Sequence, residues 1–189
     1  MRIVSGKFKG SSLFLPKDKN TRPLKDMARE SIFNLLLHSS KISFQLEDSN
    51  ILDLYAGTGS FGLECLSRKA KKVCFVEQSK DAIKILEKNI QKLKIKEKTK
   101  VFCNDVFILI EEVNIFNIKF NLIFCDPPFK SIKTKKLIEL INKNKLLHPE
   151  GIIIFHRKKN TDEKLPNYFK VIDERIYGIS KITFGTILT

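Results

Sequence analysis

The feature that most constrains the fold is a regular alternation, from Asn50 onward, of short apolar segments with amphipathic helical segments. Apolar runs of about four residues are typical of strands that are covered on both faces of a parallel sheet. Between them lie helical patterns such as residues 80–93, where the hydrophobic residues share one face. The alternation predicts a doubly wound α/β sheet that is mostly parallel. The predicted strands cover residues 51–54, 73–76, 101–103, 122–125 and 152–155.

The two ends of the chain depart from this alternation. Residues 1–16 alternate polar and apolar residues around two glycines, which predicts a short β-hairpin, and a helical pattern begins at Asp26. After Asn160 the helices stop, and two strand-like segments predict a closing antiparallel pair. We therefore predict an N-terminal hairpin and helix extension over residues 1–45 and a sheet domain over residues 46–189.

A glycine-rich turn follows the first predicted strand. Gly57, Gly59 and Gly62 let the backbone approach a ligand closely, and the helix that follows favours an anionic group at its N-terminus. Glu77, at the end of the next strand, is placed to accept hydrogen bonds from two ribose hydroxyls. The same glycines fit the dinucleotide fingerprint, with an acidic residue about 20 residues further on, so an NAD-dependent oxidoreductase is one alternative. Asp53 favours another ligand, because a carboxylate in front of the glycines suits a cation such as the amino group of a methionine moiety.

The tetrapeptide Asp126-Pro127-Pro128-Phe129 follows the fourth predicted strand directly. In a doubly wound sheet, the carboxyl ends of the strands near the reversal of strand order build the binding site. The prolines stiffen the turn and remove two backbone donors, so the Asp126 carboxylate and nearby carbonyls act as acceptors. An exocyclic amine offers two donors to such a pocket, and Phe129 can stack on a base. The pattern predicts amine methylation, in which acceptors localise a delocalised lone pair and in-line positioning supplies much of the acceleration.

The charge balance indicates the class of partner. The chain of 189 residues has 35 Lys and Arg against 21 Asp and Glu, a formal net charge of +14. Such an excess favours a polyanionic partner through counterion release, so a nucleic acid is predicted, and a solvated lysine-rich surface is the alternative. The four cysteines are widely spaced, which predicts buried thiols and no metal site. No segment has the pattern of a signal peptide or a membrane span, so we expect a cytoplasmic monomer with no membrane partner.

These residues resemble the class I methyltransferases that depend on S-adenosylmethionine, and specifically the bacterial RsmD family. That family methylates N2 of a guanine in small-subunit (16S) ribosomal RNA. The resemblance implies a Rossmann-like sheet with a closing antiparallel strand, and S-adenosylmethionine as the cofactor. It extends over nearly the whole chain, at Arg2-Ile3-Val4-Ser5-Gly6, Lys9-Gly10, Arg22-Pro23, Asp26, Arg29-Glu30, Ile32-Phe33-Asn34, Leu52 to Glu64, Leu66-Ser67-Arg68, Glu77, Asn104-Asp105 and Asp126 to Phe129.

The resemblance also implies a role for each matched residue. Asp53, Gly57 and Gly59 would hold the methionine part of the cofactor, and Glu77 would hold its ribose. Asp105 and the asparagine before it would approach the adenine, and the Asp-Pro-Pro-Phe turn would hold the target guanine. The complete predicted cofactor-binding set is Asp53, Tyr55, Gly57, Gly59, Phe61, Glu77, Gln78, Asn104, Asp105 and Asp126. The predicted catalytic set is Asp126, Pro127, Pro128 and Phe129.

Basic residues of the extension are the predicted RNA contacts. They are Arg2, Lys7, Lys9, Arg22 and Arg29. For Arg22 and Arg29, a phosphate contact is one hypothesis and a structural role is the other. The structural role has a simple form for Arg29, which can pair with Asp26 or Glu30 on its own helix.

One departure from the family pattern is the basic run His156-Arg157-Lys158-Lys159 after the fifth strand, where the resemblance implies an acidic residue. The run either strengthens contact with RNA or is surface variation. The histidines share no spacing that predicts catalysis, so a core or surface role is expected for each. They are His38, His148 and His156.

Several alternatives use the same motifs. A DNA adenine-N6 methyltransferase could hold its target amine at Asp126, although we expect no extra domain for reading a duplex sequence. A protein glutamine methyltransferase could hold an amide there, although the net charge of +14 favours RNA. A carbon-5 methyltransferase would need a nucleophilic cysteine, and Cys125 ends an apolar strand. A non-enzymatic ribosome-assembly factor would not need both an intact glycine turn and Asp-Pro-Pro-Phe.

Overall fold

A central sheet organises the structure, a computed structural model that describes residues 1–16, 26–112, 115–128, 133–160 and 163–188. The predictions for Arg22 and Phe129 lie outside these residues. The strands are β1 (Asn50–Leu54), β2 (Lys72–Glu77), β3 (Thr99–Cys103), β4 (Phe120–Cys125), β5 (Leu147–Lys158), β6 (Phe169–Tyr177) and β7 (Ser180–Ile187). The helices are α1 (Asp26–His38), α2 (Ser60–Ser67), α3 (Lys80–Leu93), α4 (Val106–Glu111) and α5 (Thr134–Lys143).

The sheet has the strand order β3-β2-β1-β4-β5-β7-β6. Strands β1 to β5 are parallel, as their continuous apolar runs predict. Strand β7 is antiparallel to both β5 and β6, which confirms the predicted closing pair. Strand β5 is longer than predicted at both ends. Leu147 pairs with Phe120 of β4 at its start, and Arg157 and Lys158 pair with Lys181 and Ser180 of β7 at its end.

Helices cover both faces of the sheet, as in a doubly wound fold. Side chains that alternate along the strands form two hydrophobic clusters. One cluster contains Phe33 of α1, Phe61 of α2 and Phe124 of β4. The other contains Leu52 and Ile123 together with the apolar faces of α4 and α5. The predicted α/β class is therefore confirmed.

The N-terminal segment reverses direction as a hairpin with one bridge in place of two strands. Arg2 pairs with Ser12 in an isolated antiparallel bridge, and Ile3 is buried in the cluster that α2 shares with the sheet. Gly6, with φ at 78°, brings the turn so close to α2 that an added Cβ would lie 2.0 Å from the Ser67 carbonyl oxygen. Contact with α2 therefore shapes this segment more than strand pairing does.

A buried carboxylate anchors the segment to the sheet domain. Glu64 of α2 has no exposed surface. Its Oε2 accepts from the Val4 backbone N–H at 2.8 Å, and its Oε1 accepts from the Ser5 N–H at 2.9 Å. The Arg68 side chain, one turn further along α2, donates from Nε to Oε1 at 2.8 Å. A buried charge is stable only when it is paired and hydrogen-bonded, and three donors meet that need here.

Arg29 of α1 corrects one of the RNA predictions. Its side chain is fully buried, and its Nη2 donates to the Arg2 backbone carbonyl at 2.7 Å. The predicted RNA contact at Arg29 is wrong, because a guanidinium without exposed surface cannot reach a phosphate. The residue instead ties α1 to the N-terminal segment.

Three of the four cysteines are buried as predicted, and Cys103 at the end of β3 is exposed. Within the described ranges, the helices include none with the length and apolar character needed to cross a membrane. In the same ranges, no three His, Cys, Asp or Glu side chains are grouped so that they could hold a metal ion.

Candidate active site

The candidate active site lies at the carboxyl edge of the sheet, where the strand order reverses. From β1 the chain proceeds outward through β2 and β3, and then returns to place β4 on the other side of β1. Loops that leave neighbouring strands in opposite directions open a crevice, and doubly wound sheets bind their ligands there. The glycine turn follows β1, and Asp126 follows β4, so both predicted motifs border this crevice.

The turn after β1 takes a left-handed course. Tyr55, Gly57 and Gly59 have φ values of 61°, 55° and 82°. The Gly57 N–H donates to Glu77 Oε2 at 2.8 Å, and the Ser79 N–H donates to Glu77 Oε1 at 2.8 Å. The Glu77 carboxylate, at the end of β2, thus shapes both the glycine turn and the start of α3. Each of its oxygens keeps a second lone pair for another donor.

Replacing Gly59 with alanine is expected to lower the free energy of unfolding by about 1–3 kcal/mol, as measured by urea unfolding. The added Cβ would be strained at φ 82° and would lie 2.3 Å from Cδ1 of the buried Leu86. Gly10 is a matched control, because it has φ 85° but an added Cβ would meet no atom of the described residues within 4 Å. Gly10→Ala is expected to cost about 1 kcal/mol. Equal losses in the two variants would mean that the contact with Leu86 is unimportant.

Asp53 lies beneath the glycine turn, with only 1% of its surface exposed. Its Oδ2 accepts from the Gly62 N–H at 3.0 Å. Burial raises the pKa of Asp53 to about 8; the Gly62 hydrogen bond lowers it, and the negative charges of Asp126 and Glu77 raise it. Burial and the two neighbouring carboxylates therefore disfavour the charged form of Asp53, and a cationic ligand would favour it.

The end of β3 adds two polar residues to the same edge. Asp105 is the N-cap of α4, and its Oδ1 accepts from the Phe107 N–H at 2.8 Å. Asn104 accepts from the Asp105 N–H at 2.8 Å through Oδ1, and its own N–H donates to the Glu77 carbonyl at 3.1 Å. Gln78 follows β2 and is exposed. These residues thus border the Glu77 side of the crevice.

Asp126 is held from within the sheet by a histidine. Its Oδ1 lies 2.8 Å from Nδ1 of His156. Cys125 of β4 pairs with Phe155 of β5 in the parallel ladder. Asp126 and His156 come directly after this pair, so they lie side by side. The His156 side chain is 8% exposed and that of Asp126 is 21% exposed. Asp126 therefore lies at the edge of the crevice with its side chain held by His156 and partly exposed.

The side chain of Phe61 lies in the core and does not line the crevice. Its side chain is 2% exposed and stacks on Phe124, with the ring centroids 3.8 Å apart, and on Phe33 at 5.2 Å. The predicted contact between this ring and the cofactor is wrong, because the ring fills the core between α1 and β4. Of the two prolines after Asp126, Pro127 is half-buried and Pro128 is exposed.

The basic run after β5 divides into two parts. His156 and Arg157 are buried, whereas Lys158 and Lys159 are exposed. Arg157 donates from Nη2 to Thr183 Oγ1 at 3.3 Å, and its burial lowers its pKa. Because His156 and Arg157 are buried, they form neither an RNA contact nor a variable surface.

Sequence reasoning missed two residues that support the site. His156 was expected to have a core or surface role. Its position was nevertheless a usable signal of proximity to Asp126, because each of the two residues directly follows the apolar run of a predicted parallel strand. The second is Asn89, a polar residue on the buried face of α3. It is fully buried, and its Oδ1 accepts from the Phe14 N–H at 2.7 Å while its Nδ2 donates to the Thr58 carbonyl at 3.3 Å. Asn89 thereby joins the N-terminal segment to the glycine turn.

The fold and the site together define a class I methyltransferase. The chain belongs to the family described as "Conserved hypothetical protein 95", whose family model matches residues 1–186, and the resemblance to the RsmD family is thereby confirmed. Ribosomal RNA small subunit methyltransferase D of Haemophilus influenzae is 31% identical over 179 residues, which cover 95% of this chain and 90% of that protein. The protein of the same name in Buchnera aphidicola subsp. Baizongia pistaciae is 33% identical over 165 residues, covering 87% and 79%. The solved structure of yhhF, a methyltransferase candidate of Escherichia coli, has a TM-score of 0.85 at 26% identity and covers 100% of this chain and 98% of that chain.

Proposed function

We propose that this chain transfers a methyl group from S-adenosylmethionine to the exocyclic N2 amine of a guanine in small-subunit ribosomal RNA. The observation that carries the proposal is Asp126, a partly exposed carboxylate at the reversal of strand order, fixed by His156 and followed by two prolines. A fixed acceptor that faces a crevice suits an amine, which offers two N–H donors. The relatives named ribosomal RNA small subunit methyltransferase D support ribosomal RNA as the substrate.

The charges of the crevice fit S-adenosylmethionine, which carries an ammonium and a sulfonium. Asp53 would hold the ammonium, because its buried carboxyl has neighbours of the same sign and gains a cationic partner. Glu77 would accept from the ribose hydroxyls through its remaining lone pairs. Gly57 and Gly59 keep the turn free of side chains, so the backbone can approach the ligand closely. Asn104 and Asp105 would border the adenine, as the resemblance implies.

When bound, the cofactor supplies a methyl group on a sulfonium, and the electron pair of the broken C–S bond stays on sulfur. Asp126 accepts one N–H of the target amine and thereby orients the nitrogen lone pair toward the methyl carbon. After the N–C bond forms, the nitrogen carries an extra positive charge and loses a proton. Asp126 accepts this proton and passes it to solvent. Most of the acceleration comes from position, since a held nucleophile and methyl group react as if at very high concentration.

Cys125 precedes Asp126 but is not suited to covalent catalysis. Its thiol is buried, and burial raises its pKa well above the usual range, with further raising by the charges of Asp53 and Asp126. The thiolate is the nucleophilic form, so an apolar and acidic neighbourhood keeps this residue inert. The site therefore favours direct transfer to an amine over carbon-5 methylation.

The basic residues of the N-terminal segment would bind the phosphates of the RNA backbone at a distance from the target base. Arg2, Lys7 and Lys9 are exposed. The Lys7 N–H donates to the carbonyl of Ser67, the last residue of α2, whereas the glycine turn precedes the first residue of that helix. A helix of this length separates the two by about 12 Å. The target guanine must be unpaired or flipped out to bring its amine to Asp126.

Cofactor affinity is expected to rise with pH. Because burial raises the pKa of Asp53 to about 8, this carboxyl is mostly protonated below pH 8 and must lose a proton to pair with the ammonium. The Kd for S-adenosylmethionine should therefore fall by up to about tenfold per pH unit between pH 6 and 7.5. Calorimetry in two buffers with different ionisation enthalpies would detect one proton released per ligand bound.

The variant Asp53→Asn is the control for this linkage. It should bind S-adenosylmethionine more weakly, with a Kd that no longer depends on pH in this range. The ligand-free protein gives a second check: an Asp whose pKa is raised on folding stabilises the folded state less as pH rises from about 4 through 8. Asp53→Asn should lack that decline, and a wild-type Kd that is constant with pH would contradict the role given to Asp53.

The substrate class can be tested by methyl transfer from labelled S-adenosylmethionine to four acceptors: small ribosomal subunits, free 16S RNA, duplex DNA and ribosomal protein. Label in RNA is the expected result. Label confined to DNA would favour an adenine-N6 methyltransferase, and label confined to protein would favour a glutamine methyltransferase. Measurable RNA binding without any cofactor binding would instead favour a non-enzymatic assembly factor.

A further inference from the structure

We propose that His156 is a positioning residue for the methyl transfer: its Nδ1–H holds Asp126 Oδ1 and so aims the other carboxylate oxygen at the target amine. This inference rests on the proposed function and deepens it. It assigns a role to the first residue of the basic run, which charge patterning had associated with RNA. The geometry that carries it is the 2.8 Å separation between Nδ1 and Oδ1.

The direction of this hydrogen bond follows from the chemistry of its two partners. An ionised carboxylate has only acceptor sites, so the shared proton lies on Nδ1. A proton of the imidazole therefore lies on the nitrogen that faces Asp126. The bond takes one lone pair of Oδ1 and sets the plane of the carboxylate. Oδ2, on the side of the carboxyl group away from the histidine, is then the oxygen that meets the amine.

The histidine is well placed to fix a direction because its own backbone belongs to strand β5 and is paired with β7. Strand β5 lies between β4 and β7, and His156 pairs with Ile182 of β7. Its side chain is buried, whereas the side chain of Asp126 is more than twice as exposed, at 21% against 8%. Asp126, in contrast, follows the last residue of β4 and precedes two prolines, so strand pairing does not fix its position. The more rigid partner therefore orients the less rigid one.

A carboxylate rotates about its terminal bond with little preference, because torsions between sp³ and sp² atoms are broad and roughly two-fold. Without the histidine, Asp126 could turn its oxygens away from the line between the amine and the methyl carbon. A misplacement of about 1 Å at a reacting centre can cost on the order of 100-fold in rate. A hydrogen bond to a charged group favours one orientation of the carboxylate by about 10- to 100-fold in population, which is enough to prevent this rotation.

The test compares His156→Asn with His156→Leu in the full-length protein. Asparagine and leucine have nearly the same branched shape, but only the asparagine amide can donate to Asp126 from the position of Nδ1. We expect His156→Leu to lower kcat about 10- to 100-fold while KM for S-adenosylmethionine and the unfolding midpoint match those of His156→Asn. His156→Asn should retain kcat within about threefold of the wild type. Equal kcat values in the two variants, whether both high or both low, would overturn the proposal.

A spectroscopic measurement tests the same bond without relying on turnover. In ¹⁵N-labelled wild-type protein, the His156 ring should show the Nδ1–H tautomer with a slowly exchanging, downfield-shifted proton. Asp126→Ala should remove that signal. An Nε2–H tautomer in the wild type would overturn the proposal whatever the activity. If the wild type methylates no RNA but shows the Nδ1–H signal, the proposed function fails while the Asp126–His156 bond stands.

Discussion

Replacing Asp126 with alanine is expected to lower kcat for methyl transfer by about 100- to 1000-fold, a loss comparable to that of one preorganised polar group in other active sites. The carboxylate is the acceptor that meets the target amine, so its removal leaves the nitrogen lone pair delocalised and the amine unaligned. The Kd for S-adenosylmethionine should change less than about tenfold, because the ammonium and ribose are assigned to other residues. Steady-state kinetics with small ribosomal subunits, together with calorimetric cofactor binding, would separate the two effects.

Two further variants define what the Asp126 result means. Asp126→Asn keeps the shape of the side chain but turns one acceptor into a donor that faces the amine, so it should also be severely impaired. Glu139→Ala removes a carboxylate from the exposed face of α5, where it pairs with Lys135 at 3.9 Å, and should leave turnover unchanged. A variant Asp126→Ala that turned over within threefold of the wild type would remove Asp126 from the mechanism.

Replacing Glu64 with alanine is expected to lower the free energy of unfolding by about 3–5 kcal/mol, a large part of the stability of an ordinary domain. The substitution leaves the Val4 and Ser5 N–H groups and the Arg68 guanidinium without the carboxylate that accepts from them. Urea unfolding would give the global effect. Hydrogen exchange should show the earliest loss of protection in residues 1–13, which this carboxylate fastens to α2.

The matched control is Glu47→Ala. Glu47 also accepts from a basic side chain, Lys69, at 3.0 Å, but both partners are largely exposed. Exposed pairs contribute about 0–1 kcal/mol, so this variant should unfold close to the wild type. If Glu64→Ala cost no more than Glu47→Ala, the buried carboxylate would not be the anchor of the N-terminal segment.

Periodicity predicted most of the fold because local pattern and tertiary burial agree along this chain. The continuous apolar runs became the parallel strands, and residues 80–93 became α3 at the predicted bounds. The hairpin was predicted as two paired strands because the alternation of polar and apolar residues does not show which other element the segment contacts. Gly6 packs against the end of α2, and that contact leaves only the bridge between Arg2 and Ser12.

The candidate site was harder to predict than the fold, because motif adjacency does not say which way a side chain points. Phe61 follows the glycine turn by two residues, yet α2 directs its ring into the core. Arg29 looked like an RNA contact because of its charge, and its burial depends on how α1 meets the N-terminal segment. His156 looked like the start of a basic surface, and only the register of β5 against β4 brings it to Asp126. Each miss is a tertiary contact that residue type alone does not encode.

We propose that Asp126 directs a methyl group to the N2 amine of guanine. The measurement that tests it most directly is nucleoside analysis of small-subunit ribosomal RNA after reaction with labelled S-adenosylmethionine, with the wild type and Asp126→Ala side by side. We expect label in N2-methylguanosine with the wild type and its loss with the variant. Label in N6-methyladenosine or in a carbon-methylated pyrimidine, or N2-methylguanosine formed equally by the variant, would contradict it.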